Sequence, residues 1–275
     1  MLTETAPAKI NLALHVRRRR ADGYHDLETL FAFLEDGDRV SVAPAPANGF
    51  AMTGPFAALL AGDDNLVTRA RDAFEAVFAT GQGWAITLDK HLPVASGIGG
   101  GSADAAATLR ALARLSGVAV DDPRLFAIAE RLGADVPACL LGRTAIGTGK
   151  GEQLVPIAGV TAVPVLLVNP GVAVSTAAVF KAWDGVDRGP LAQGDALAAA
   201  RAGRNDLEPP ARALAPGIDD VLAALAALPG VVLARMSGSG ATCFALFDSV
   251  AARRAGAASI RAAQPGWWCL ESALA

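Results

Sequence analysis

The sequence predicts mixed helices and strands arranged in two domains, residues 1–155 and 156–275. Three observations predict this. Strand-period and helix-period stretches follow one another through the first half, and a second such alternation starts at Val163. Residues 151–162, with no strong period, separate the two. Each half also carries a glycine-rich turn: Gly97-Ile98-Gly99-Gly100-Gly101 in the first, Gly238-Ser239-Gly240 in the second. At 275 residues, 52% hydrophobic and 19% charged, the chain can bury a sizeable core.

In chain order, Ile10, Leu12, Leu14 and Val16 alternate with the two-residue period of a strand. Lys9, Asn11, Ala13 and His15 then lie on its other face. Lys9 and Asn11 there suit the lining of a cleft, and the plainer reading of Lys9 is a solvated edge lysine. Arg17–Arg20 are four consecutive cations before a turn signal, Asp22-Gly23. They read as a solvated hairpin tip or as a patch steering an anionic substrate. Tyr24, the only tyrosine, is a candidate aromatic shelf or a packing residue.

Leu27–Leu34 and Arg39–Ala43 read as two further strands, and residues 44–62 as a loose connection. Asp63-Asp64-Asn65 caps a helix from Leu66 to about Thr80, with Ala70, Phe74 and Val77 inward. Trp84, Ile86 and Leu88 alternate into a strand that delivers Lys90-His91-Leu92-Pro93 to the glycine loop. That loop, Pro93-Val94-Ala95-Ser96-Gly97-Ile98-Gly99-Gly100-Gly101-Ser102-Ala103-Asp104, runs into an alanine-rich helix from Ala105 to Leu115. Four glycines in five residues exceed what a plain turn needs. A glycine-rich loop at a helix start offers free N–H groups and a positive dipole end to a phosphate. The pattern is neither G-x-x-x-x-G-K-[ST] nor G-x-G-x-x-G.

Asp122-Pro123 opens a helix to Leu132, stopped by Gly133. Asp135, before an apolar segment, is an N-cap or a carboxylate held ready to accept a proton. Further on come a strand over Val163–Val168 and a helix capped by Ser175 or Thr176 and carrying Phe180 and Trp183. Residues 184–204 read as a mobile polar segment. A helix follows over Asp219–Leu228, then strands Val231–Ala234 and Thr242–Phe247 around Met236-Ser237-Gly238-Ser239-Gly240-Ala241. A helix over Val250–Ala263 and a strand over Trp268–Glu271 end the chain.

Net charge −3 and pI about 5.6 give no reason to expect a nucleic-acid or anionic-membrane partner. Met1-Leu2-Thr3-Glu4-Thr5 lacks the basic and apolar regions of a signal peptide. Cys139, Cys243 and Cys269 read as buried small hydrophobes in a reducing compartment, not as a disulfide frame. No two of His15, His25 and His91 have metal-ligand spacing. The expectation is a soluble cytoplasmic protein.

Three segments carry a resemblance: Pro7-Ala8-Lys9-Ile10-Asn11-Leu12, the glycine loop, and Met236-Ser237-Gly238-Ser239-Gly240-Ala241. Together they resemble the superfamily of galactokinase, homoserine kinase, mevalonate kinase and phosphomevalonate kinase. With Arg20-Ala21-Asp22-Gly23-Tyr24-His25 added, the chain is similar to the 4-diphosphocytidyl-2-C-methyl-D-erythritol kinases of the non-mevalonate route to isoprenoid precursors. The resemblance implies an α+β fold of two domains with the active site in the interdomain cleft. It implies ATP and Mg²⁺, and phosphorylation of the 2-hydroxyl of a cytidine-diphosphate-linked methylerythritol. By position, Lys9 and Asp135 match the catalytic pair and Pro93–Ala103 the ATP phosphate loop. Tyr24, His25 and Phe180 match the cytidine pocket, with Tyr24 and Phe180 sandwiching the base. Asn11 is grouped with the substrate contacts, and Gly238, Ser239 and Gly240 with the site's surroundings. Ser102, directly after the glycines, is the one position suggested for the metal. Ala95-Ser96 stands where a glycine-containing pair is common, and Ala103 where a serine is. Both departures are small side chains expected to leave the loop able to wrap phosphate. Alternatives are a superfamily kinase with a substrate lacking cytosine, or an inactive nucleotide-sensing relative.

Overall fold

The first two strands are longer than their alternation implies: β1 spans Leu2–Arg19 and β2 His25–Ala45. The computed structural model describes residues 1–59 and 65–275. The chain divides into two compact units, and β1 and β2 each contribute to both. The first unit holds residues 1–9, 36–94 and 99–142; the second holds 10–35, 95–98 and 143–275.

β2 is one strand where the sequence suggests two. The polar stretch Glu35–Asp38 looks like a turn, but Asp38 is 1% exposed and ion-paired, so the charge is internal and the backbone stays extended. β1 pairs with β2. Its second face is no edge: Lys9, Asn11, Ala13 and His15 are all buried, as are Ile10, Leu12, Leu14 and Val16. Lys9, Asn11 and His15 find partners inside the protein, so their alternation with apolar residues reads the same as that of a half-solvated strand.

In the first unit, β3 (Gly49–Thr53) lies parallel to β4 (Gly83–Asp89), and β4 runs antiparallel to β2 with Arg39 opposite Asp89 and Ala45 opposite Gly83. β3 lies within the expected loose connection. α1 (Leu66–Phe78) begins at Asn65, whose side chain accepts from Val67 and Thr68 N–H. Asp63 and Asp64 lie outside the described residues. α2 (Gly100–Leu115) starts five residues earlier than expected and is buried on nearly every side. Its alanines at 105–107, 111 and 113 make that possible, since small side chains let neighbouring backbones approach. α3 (Pro123–Leu132) carries the expected Asp122 cap and proline start, and α4 (Val136–Leu141) follows.

In the second unit, the N-terminal part of β2 pairs antiparallel with β5 (Ala145–Gly149), and β5 with β6 (Gln153–Pro156). These two short strands include part of the stretch read as aperiodic. β7 (Pro164–Asn169) is followed by α5 (Thr176–Ala182), capped by Ser175. Residues 184–204 are tied down where mobility was expected. Leu191 N–H donates to Glu28 Oε2 at 2.8 Å and Arg204 Nη2 to Gly189 O at 2.9 Å. α6 (Ala196–Ala202) starts at Asp195. α7 (Glu208–Leu214), which the sequence did not suggest, precedes α8 (Gly217–Ala226). β8 (Val231–Met236), β9 (Cys243–Phe247), α9 (Val250–Ala263) and β10 (Trp268–Ala273) complete the unit. Its antiparallel sheet has the order β10-β7-β9-β8. Leu166, Val168, Val179, Val221, Leu225 and Phe247 are among the buried residues of its core. Among the described residues no helix is long and apolar enough to cross a membrane.

Candidate active site

Lys9, the last β1 residue of the first unit, is 2% exposed, and its Nζ lies 3.0 Å from Asp135 Oδ2. Asp135 occupies the N-cap position of α4 yet makes no side-chain cap hydrogen bond. Its carboxylate turns to the lysine instead, and its side chain keeps 38% exposure. The cap reading of Asp135 is thus not met by its side chain, which faces Lys9. The solvated-lysine reading of Lys9 fails too. Desolvating an ammonium is costly, and the carboxylate beside it offsets part of that cost.

The glycine loop joins the units, with residues 95–98 in the second and 99–103 in the first. Gly99 is the N-cap of α2 at φ +65°, and a β-carbon there would stand 2.9 Å from Lys9 Cε. Only glycine permits both the left-handed backbone and that approach. Beyond it, Gly100, Gly101 and Ser102 open α2, and the N-cap makes no side-chain cap hydrogen bond. By contrast, α1, α3, α5, α6 and α9 are capped by Asn65, Asp122, Ser175, Asp195 and Ser249. An uncapped helix start behind a glycine loop leaves donors and dipole for an anion. Ala103 is buried, and its N–H returns to Gly99 O at 2.8 Å. Ala95 sits at φ +51°. Its small size is therefore not the whole matter: the position calls for a left-handed residue, where alanine is strained by about 1–2 kcal/mol.

In the second unit the other glycine turn supports residues 95–98. Ser237 Oγ donates to Gly97 O at 3.0 Å, and Thr242 N–H to Ser96 O at 3.1 Å. Asn11 N–H donates to Ser237 Oγ at 3.2 Å and Asn11 Nδ2 to Thr29 Oγ1 at 2.7 Å. Asn205 Nδ2 holds Met236 O and Gly238 O, each at 2.8 Å. Ser239 Oγ lies 2.8 Å from Thr176 Oγ1. The Asn205 side chain, which the sequence did not single out, thus braces the turn, and Asn11 meets it through its backbone N–H.

His25 and Phe180 meet with ring centroids 5.0 Å apart and planes at 34°. Trp183, at the C-terminal end of α5, meets His25 edge-on at 5.6 Å. His25 is 9% exposed, and its buried Nε2 has no protein partner. Burial, followed by the Arg19 charge, pushes the imidazole pKa down, so the ring is neutral at pH 7. Tyr24 stands outward, 55% exposed, with Lys150 Nζ 4.6 Å from its ring centroid. The sequence places Trp183 on the same helix as Phe180 but not in the site, and Lys150 was not singled out; the spacing of Trp183 three residues after Phe180 was the available signal. The arginine run is not a free cationic patch. Arg17 pairs with Asp187, Arg18 with Asp26 and Arg20 with Asp22, while Arg19 Nη2 donates to Lys181 O and Trp183 O at 2.8 and 2.9 Å.

A second ionic cluster was also missed. Lys90 Nζ binds Asp38 Oδ2, and Asp104 Oδ2 at 2.7 Å. Asp38 Oδ1 accepts from the N–H of His91 and Leu92 at 2.5 and 2.8 Å. Burial raises the Asp104 pKa to about 7, against the opposing pull of Lys90.

The chain matches the model for the GHMP kinases N terminal domain over residues 65–143 and that for the GHMP kinases C terminal over residues 190–263. It is 60% identical to the 4-diphosphocytidyl-2-C-methyl-D-erythritol kinase of Rhizorhabdus wittichii, over 99% of this chain and 94% of that one. The enzyme of the same name from Novosphingobium aromaticivorans is 53% identical over 99% and 93%. A crystal structure of 4-(cytidine 5'-diphospho)-2C-methyl-D-erythritol kinase superposes with TM-score 0.83 at 39% identity, covering 99% of both chains. Homoserine kinase from Cytophaga hutchinsonii shares the fold at TM-score 0.73 and 20% identity, over 99% of this chain and 94% of that one. With an α+β kinase fold, a glycine loop before an uncapped helix and these full-length relatives, the chain belongs to the 4-diphosphocytidyl-2-C-methyl-D-erythritol kinase family of the GHMP kinases.

Proposed function

We infer that the chain transfers the terminal phosphoryl group of ATP to the 2-hydroxyl of 4-diphosphocytidyl-2-C-methyl-D-erythritol, in the methylerythritol phosphate route to isopentenyl diphosphate. The observation that carries the mechanism is the Lys9–Asp135 pair, a buried cation at 3.0 Å from a carboxylate that stays open to solvent. Phosphoryl transfer has a loose transition state, so positioning and charge stabilisation do most of the work. Asp135 accepts the proton of the acceptor hydroxyl, a contribution of about 10²- to 10⁴-fold. Lys9 orients that carboxylate and offers a point charge to the transferring group. The N–H groups of Gly100, Gly101 and Ser102, with the α2 dipole, hold the nucleotide phosphates. Tyr24, His25 and Phe180 receive the cytosine, and the unpartnered His25 Nε2 gives a polar handle for it.

Among the described residues no group of three or more His, Cys, Asp or Glu side chains could hold a metal ion. We propose that a Mg²⁺ arrives on the nucleotide and keeps phosphate and water ligands. Ser102 is the candidate protein contact, and the ion would supply charge neutralisation on the phosphates. We place the enzyme in the cytoplasm, as a monomer or weak homodimer.

The test is ADP release with the cytidine-linked substrate against mevalonate, homoserine and galactose. Turnover confined to the cytidine-linked substrate is expected; comparable turnover on another alcohol would assign a different superfamily activity, and none on any would point to a sensing relative. Phe180→Ala is expected to weaken the cytidine-linked substrate by about 1–3 kcal/mol, the scale of base stacking on an aromatic ring. An unaltered KM for it would remove the pyrimidine pocket.

A further inference from the structure

We propose that Arg110 is a positioning residue for the Lys9–Asp135 pair, one guanidinium on α2 that ties the strand bearing the lysine to the helix bearing the aspartate. The proposal rests on those two residues being the catalytic groups. Arg110 lies about 15 Å along α2 from Gly100, at 1.5 Å rise per residue, and its side chain is 14% exposed. Three of its donors are engaged. Nη2 donates to Thr5 O at 2.7 Å, Nη1 to Cys139 O at 2.9 Å, and Nε to Glu4 Oε2 at 3.2 Å. Glu4 is itself 7% exposed and also held by Arg114.

Thr5 lies on β1 four residues before Lys9, and Cys139 lies on α4 four residues after Asp135. The Cys139 N–H returns to Asp135 O at 3.0 Å, so the carbonyl that Arg110 grips belongs to the turn that Asp135 begins. α4 has six residues and no side-chain cap. A helix that short does not hold itself in place, because nucleation is costly and few bonds follow it. Tertiary contacts must fix where its first residue points. Arginine suits this place because its planar fork keeps several donors in one fixed geometry, whereas an ammonium is a point charge on a flexible stem. The same helix that offers its N-terminus to the phosphates thus clamps the elements carrying both charged groups.

The test is steady-state kinetics on the full chain for Arg110→Ala, Arg110→Lys and Asp135→Asn, with thermal melts. In Arg110→Ala, kcat is expected to fall about 10- to 100-fold, the scale of a displaced catalytic group, while KM for ATP and for the cytidine-linked substrate stays within about twofold. Arg110→Lys is expected to recover part of the lost kcat. A folded Arg110→Ala with kcat within about twofold of wild type overturns the proposal, as does a loss confined to KM. Where Arg110→Ala does not fold, Arg110→Lys decides: lower kcat at unchanged KM supports the clamp, and unchanged kcat overturns it. Asp135→Asn separates the two layers. Retained turnover there removes the catalytic pair and the clamp's purpose with it. Lost turnover there, with unaffected Arg110 variants, overturns the clamp alone.

Discussion

Lysine meets aspartate at two places in the first unit. Lys9 is buried, but its partner Asp135 keeps a side chain 38% exposed. Lys90 is clasped by Asp38 and Asp104, and the exposures of the three are 1%, 1% and 2%. The residue types are the same, and access differs. An open carboxylate exchanges protons with whatever enters; a sealed one can only be part of the frame. At the second place one lysine faces two carboxylates, and the surplus carboxylate has nowhere to put its charge. Burial lifts Asp104 to about 7, while the attraction of Asp104 and Asp38 overcomes burial to raise Lys90. The first carboxylate can meet what enters from solvent, and the second cluster is sealed under the start of α2. A β-carbon at Gly100 would stand 3.1 Å from Lys90 Nζ.

The comparison breaks most readily at Asp135. Asp135→Asn keeps the shape and an acceptor for Lys9 but cannot take a proton. Turnover is expected to drop by about 10²- to 10⁴-fold, with ATP affinity and melting temperature close to wild type. Turnover near wild type would mean that the open carboxylate is no base. Lys90→Met is expected to reverse the pattern. It leaves Asp38 and Asp104 buried together without a cation, a situation that costs about 3–5 kcal/mol. Urea denaturation at pH 7 reads this directly, and a loss below about 1 kcal/mol would show that the sealed cluster contributes nothing to the frame.

Some of this was legible in the residues and some was not, for physical reasons. The glycine loop announces itself by composition, and the caps at Asn65, Asp122 and Ser175 by local side-chain chemistry. The alternation of Ile10 to Val16 gave β1 but not its second buried face, because polar side chains with internal partners alternate just as solvated ones do. Asp38 lay between the two expected strands, and its partners Lys90, His91 and Leu92 come 52 to 54 positions later. Lys9 and Asp135 lie 126 positions apart; the motif resemblance suggested the pair, and only the fold supplies the distance. The short elements β3, β5, β6 and α7 are held by neighbours and not by propensity, so their sequences carry little signal. Ala95 was judged by size, whereas its left-handed backbone is a conformational property that no composition displays.

Asp104→Asn sharpens the comparison with the smallest change. Asp104 Oδ1 is buried with no partner, and Oδ2 alone holds Lys90. The native carboxyl has a pKa of about 7 against about 4 when unfolded. Between those values the native state binds the extra proton, so its stability falls as pH rises through the window. Below pH 4 both states are protonated there, and above about 7 the native protein bears the full penalty of a buried surplus charge. Asparagine removes this ionisation. Its stability relative to wild type is therefore expected to climb by about 1–3 kcal/mol from pH 4 to pH 7, one pKa unit being about 1.4 kcal/mol. The exposed carboxylates, which are held low by arginine and histidine partners, contribute equally to both proteins and cancel in the difference. Parallel denaturation curves at pH 4, 5.5 and 7 decide the matter. A difference that stays flat across that range would place the surplus charge elsewhere in the cluster and would erase the contrast with the open pair.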